Sequence, residues 1–194
     1  MKGSALLIFF LFATSQPCWA QSWTADANTS VTALDEAGRS DWREYTITFG
    51  HGSSQNRQGA GIQISHRDGA TDVRGALSLE RKVSERLVVI SEVSATPGAR
   101  FLPRWSAASQ ARVKVAPDSV ALLGGQVAHY ATGTVVKVMP GIEQYVAHGQ
   151  AWLTVTTPFI RDENGRVAVG AAGRFDAVVL DRFRAYVGAS TAPE

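Results

Sequence analysis

The sequence predicts an all-β fold, a run of antiparallel strands in up-and-down order. Three observations predict it. Apolar residues recur at every second position through most of the chain, the period that sorts side chains onto the two faces of a strand. Turn dipeptides punctuate these runs at hairpin spacing. No later segment stays apolar long enough for a spanning helix: Leu87-Val88-Val89-Ile90 is followed at once by Ser91 and Glu92.

Taken in order, the first element is a targeting segment. Lys2 is a short positive region, Ala5 to Ala13 an apolar one, and Pro17-Cys18-Trp19-Ala20 ends on a small residue. This is the layout of a secretory signal peptide cut after Ala20, so 1–20 is read as signal and 21–194 as one folded domain. The apolar run is too short to be a membrane anchor. Ser15-Gln16-Pro17 is too polar for a lipidation box around Cys18. Cleavage removes the chain's single cysteine, and with it any internal disulfide or catalytic thiol. The net charge of +2 argues against nucleic acid and against a polybasic surface role.

The strands follow, about 11 of them: 27–35, 43–51, 59–66, 71–81, 86–95, 103–115, 119–130, 133–146, 149–160, 166–175 and 179–189. Tyr45, Ile47 and Phe49 alternate with Glu44, Thr46 and Thr48; Val73, Leu77 and Leu79 with Arg74, Ser78 and Glu80. Trp105, Ala107, Ala111, Val113 and Val115 alternate with Arg104, Ser106, Gln110, Arg112 and Lys114. Ala151, Leu153 and Val155 obey the same rule, as do Val167, Val169 and Ala171. Asp68-Gly69 and Asn164-Gly165 are dipeptides of type I′ hairpins, and Ala116-Pro117-Asp118-Ser119 reads as a tight turn.

Two architectures fit this pattern, an outer-membrane β-barrel of about 11–12 strands and a soluble periplasmic β-sandwich. Long strands such as 103–115 favour the barrel, being nearer the length that crosses a bilayer at a tilt. So do Trp42, Tyr45, Trp105 and Phe183 near strand ends, where a barrel carries aromatic girdles. In a barrel the polar positions face the lumen. The candidate lumen-facing set is Glu44, Arg74, Glu80, Arg104, Arg112, Lys114, Glu143, Arg166, Arg182 and Arg184. Two readings of it stay open: an interior of mutually paired charges that fills the lumen, and a polar path for an anionic or sugar-rich ligand. The sandwich alternative would bind a carbohydrate or an envelope partner.

Several segments carry a family likeness. Asp41-Trp42-Arg43-Glu44 leads from a Gly-Arg-Ser loop into a strand. Phe101-Leu102-Pro103-Arg104-Trp105 opens a long strand after a Pro-containing loop. Gly124-Gly125, Tyr130 to Val135, and Pro140-Gly141-Ile142-Glu143-Gln144-Tyr145 follow in order. In order and spacing they resemble the YaiO family of outer-membrane proteins over nearly all of 21–194. The resemblance implies a barrel in the outer membrane, with lipid and the outer-membrane insertion machinery as partners. It implies no catalytic residue and no cofactor, and it suggests a loose link to envelope polysaccharide export. Barrels of this kind finish on a strand with a terminal aromatic residue, whereas this chain finishes on Ser190-Thr191-Ala192-Pro193-Glu194. With an odd strand count, that predicts one or more missing C-terminal strands.

Enzyme chemistry is not expected. His51, His66, His129 and His148 lack metal-ligand spacing. Gly50-His51-Gly52-Ser53 is a Gly-rich turn, and Gly59-Ala60-Gly61 opens no helix.

Overall fold

A computed structural model of the chain describes residues 12–13, 22–32, 42–179 and 183–191. The strands are β1 (Phe12–Ala13), β2 (Ser22–Thr32), β3 (Trp42–Gly52), β4 (Asn56–Arg67), β5 (Ala70–Lys82), β6 (Leu87–Ala95) and β7 (Trp105–Ala116). They continue with β8 (Ser119–His129), β9 (Thr134–Val146), β10 (Ala151–Thr156), β11 (Phe159–Arg161), β12 (Val167–Val169), β13 (Ala171–Val179) and β14 (Phe183–Thr191). From β2 to β9 each strand pairs antiparallel with the next, so the order is up-and-down. A single 3-10 turn, Ala147–Gly149, joins β9 to β10.

β10 and β11 are two pieces of one strand, since both pair with β9, whose halves each serve one piece. The break falls at Thr157-Pro158, where proline has no N–H to give the ladder. β12 and β13 are likewise broken at Gly170, where an added Cβ would lie 2.3 Å from the Thr191 carbonyl oxygen. With these merged, the long strands among the described residues number eleven, those expected from alternation. The first begins earlier than 27, at Ser22, because Trp23 stays in register opposite His51.

The hairpins differ in kind. Asp68 (φ 48°) and Gly69 (φ 75°) both take positive φ, as type I′ requires. Asn164-Gly165 does not form the expected type I′ turn, because only Gly165 has positive φ. Asp162 Oδ1 accepts the N–H of Asn164 (2.9 Å) and of Arg166 (2.8 Å), which sets a five-residue loop with glycine at the left-handed position.

All strands belong to one sheet. There is no second sheet among the described residues, and a sandwich requires one. Among the described residues the sheet is not closed by a hydrogen-bonded ladder: β2 pairs there only with β3, and β14 pairs with β13 and β1. β1, which falls within the segment read as an export signal, lies beside β2 as well as β14, so with that segment present the two ends of the sheet curl toward each other. Apart from Phe12–Ala13, the segment read as an export signal lies outside the described residues.

Burial along the strands is inverted relative to a soluble protein. The residues on one face are exposed and apolar: Ile47, Phe49, Ile62, Leu77, Leu79, Val93, Leu123, Ile142, Val155 and Phe175. The most buried side chains are polar, with Ser65 at 0%, Asp72 at 3%, Glu143 at 4% and Asp176 at 1% exposed. Water tolerates contiguous exposed apolar patches of only a few hundred Å² on soluble monomers. A lipid solvent inverts that preference, and closed barrels meet it with apolar-out, polar-in alternation.

Candidate functional site

The concave polar face is the candidate site, and strand register assembles it. Glu44 lies opposite Ser65, Gln63 opposite Arg74, and Ser78 opposite Glu92, so β3 to β6 place these side chains on one surface. Gln63 donates to Glu44 Oε1 at 2.7 Å, Ser65 Oγ reaches the same oxygen at 3.3 Å, and Arg74 bonds Glu92 Oε1 at 2.5 Å. A second cluster spans β7 to β10. Arg112 reaches over Leu122 of β8 to Glu143 on β9 at 2.5 Å, Tyr145 lies 3.3 Å from the same guanidinium nitrogen, and Thr154 donates to Glu143 at 3.4 Å. A third joins Arg174 to Asp176 at 2.6 Å, with the guanidinium stacked 4.1 Å over the Tyr186 ring.

Six of the ten candidate positions, Glu44, Arg74, Glu80, Arg112, Lys114 and Glu143, share this face. Arg184 takes a position on β14 opposite Val178. Arg182 lies outside the described residues. Arg104 and Arg166 do not stand mid-strand: they are exposed at the rim, directly ahead of β7 and β12, because the loops there extend further than alternation implied. Sequence reasoning missed several acids. Glu92 hides in the apolar run of β6, Asp72 sits beside a turn, and Asp176 follows Phe175. Their shared signal was parity with their cross-strand partners, which needs the register to read.

The aromatic residues also separate. Tyr45 and Trp105 are exposed on the apolar face, Tyr45 edge-on to His66 at 6.2 Å and Trp105 stacked on His129 at 5.8 Å. Trp23 lies tilted against His51, ring centroids 4.3 Å apart, at the opposite rim. Trp42, expected in an outer girdle, is instead half-buried on the concave face. It lies under the Arg67 guanidinium (5.2 Å) and edge-on to Phe101 (6.2 Å). The residue next to it, Arg43, takes the outward position. The side chain of Phe183 lies outside what the structure describes. In the turn between β5 and β6, a hydrogen bond from Lys82 at 2.8 Å and its charge hold the Glu85 carboxyl below the usual range.

Near the rim, Gln126, Lys137, Tyr130, Asp162, Asn164 and Arg166 line a cavity of about 740 Å³. It offers donors and acceptors together. Among the described residues no cluster of His, Cys, Asp and Glu is arranged to hold a metal ion.

An apolar convex face around a charged, paired concave one is the arrangement of a membrane barrel. The model of the YaiO membrane beta barrel domain matches residues 24–177. The chain belongs to that family. No curated protein and no solved structure matches it. Membership in the YaiO family accords with a convex apolar belt that faces lipid, in keeping with an outer-membrane setting.

Proposed function

We propose that this YaiO-family chain is a non-enzymatic outer-membrane protein whose lumen is a narrow polar passage, structural or transport-related in role. The observation that supports this reading most is the ion pairing of the concave face: Arg74–Glu92, Arg112–Glu143 and Arg174–Asp176. Carboxylates engaged in this way line a wall and stiffen it, and they are poorly placed to act as bases. The rim cavity, with amide, phenol and both signs of charge, suits a polyhydroxylated ligand better than an apolar one. That supports a sugar-rich envelope polymer as the material at this mouth.

The loops support an orientation. Turns 53–55, 83–86, 117–118 and 147–150 at one rim are short, whereas the other rim carries the two longest described connections, 96–104 and 162–166, beside the short turns 68–69 and 130–133. Barrels keep short turns periplasmic and long loops outside. Loop 96–104 therefore faces the exterior, and Ser22 enters from the periplasm.

The test is fractionation of the full chain, gel mobility with and without boiling, and planar-bilayer conductance. Outer-membrane recovery with a heat-modifiable band and ionic conductance is expected. A soluble periplasmic species with no mobility shift would overturn the reading. If Arg74→Ala and Arg112→Ala lower thermal stability yet leave conductance and oligosaccharide retention unchanged, the passage is structural filler.

A further inference from the structure

The loop between β6 and β7 does not extend away from the barrel. Thr96 accepts the N–H of Ala99 at 3.2 Å, with Pro97 and Gly98 (φ +67°) between them, the sequence of a type II turn. This reverses the chain and returns 100–102 over the barrel mouth. There the Asp72 carboxylate, pointing into the lumen from β5, accepts three successive backbone N–H groups: Arg100 at 3.0 Å, Phe101 at 2.9 Å and Leu102 at 2.8 Å. The Phe101 ring then reaches Trp42 on β3, so the segment crosses the concave side of β5 and β4. The Thr96 N–H closes the loop base on the Arg104 carbonyl at 2.9 Å. Thr96, Leu102 and Pro103 are all buried, which a solvent-facing loop would not achieve.

We propose that residues 96–104 form an internal strap that narrows the lumen at its mouth, and that Asp72 is the latch that holds it. The inference rests on the lumen reading above. Three N–H groups on one charged acceptor are charge-assisted bonds, and their loss together frees the segment. Pro97 and Pro103 limit the other conformations open to it. The strap leaves the rim cavity beside β8, β9, β11 and β12 as the open part of the mouth.

The experiment uses the full-length barrel reconstituted in planar bilayers and vesicles, as wild type, as Asp72→Ala and with 97–101 replaced by a Gly-Ser linker. Both variants are expected to raise conductance about twofold or more, as relief of a constriction does. In Asp72→Ala, trypsin should cut after Arg100, and in the wild type the bonded segment should resist that cut. Unchanged conductance together with unchanged trypsin resistance would overturn the proposal. Hydrogen exchange on the wild type decides the matter if a variant fails to fold. Amides of Arg100, Phe101 and Leu102 exchanging as slowly as those of β5 support the strap, and free-loop rates overturn it. A wild type without a heat-modifiable band instead indicts the barrel reading, and it does so separately from the exchange result.

Discussion

Leu77→Arg is the sharpest test of which solvent the convex face meets. Leu77 is 62% exposed, so in a water-soluble protein its replacement would change stability by no more than about 0.5 kcal/mol. In a barrel the cost depends on depth. Leu77 stands on β5 between the strand ends Ala70 and Lys82. At about 3.4 Å per residue and a tilt near 45°, it lies roughly 17 Å and 12 Å in height from those ends, near the middle of an apolar band about 25 Å tall. Its cross-strand neighbours Ala60 and Val93 are also exposed and apolar, with no acid to receive a guanidinium. Leu77→Arg should therefore cost about 2–4 kcal/mol, the penalty of a cation at the bilayer midplane. Val73→Arg, on the same face but roughly 7 Å from the strand end, should cost about 1 kcal/mol, because the guanidinium can snorkel to the interface. The assay is urea-titrated folding into vesicles, read by heat-modifiable mobility. Equal costs at the two positions, or none at Leu77, would refute the lipid-facing assignment.

Glu143→Ala removes the main partner of the Arg112 guanidinium. Arg112 is part-exposed, so a loss of about 2–3 kcal/mol by the same titration is expected, with Glu143→Gln losing less. Single-tryptophan variants in vesicles of brominated lipid should show strong quenching for Trp23 and Trp105 and little for Trp42, since only the first two stand on the convex face. Gly141→Ala would place a Cβ 2.6 Å from the Val155 carbonyl oxygen and should cost about 1–3 kcal/mol. At Gly75 nothing lies within 4 Å, and alanine there should raise stability by about 0.5 kcal/mol through the unfolded chain. Chemical-denaturation midpoints check both glycine predictions.

The local sequence was enough to specify the strands. Alternation such as Tyr45-Thr46-Ile47-Thr48-Phe49 states the period and the two faces at once, and Asp68-Gly69 states the turn that joins β4 to β5. It also named six residues of the concave face, because a mid-strand arginine or glutamate stands out against aliphatic neighbours. The breaks at Pro158 and Gly170 were less legible, since each interrupts pairing without ending the run of alternation. Trp42 was misplaced because an aromatic residue near a strand end looks the same on either face until the register with Arg67 and Phe101 is known.

What remained for tertiary structure was every relation between strands. Alternation divides a strand into an apolar and a polar face but does not say whether the apolar one is buried against a second sheet or left outside. That followed from the single curved sheet, which puts Ser65, Glu143 and Asp176 inside and leaves Leu77 and Phe49 outside. The pairing of Arg112 with Glu143 skips a strand, and the bonds from Arg100, Phe101 and Leu102 to Asp72 join a loop to a strand about 30 residues earlier. Such contacts depend on where the chain folds back in space, and a period of two along the backbone carries no information about that.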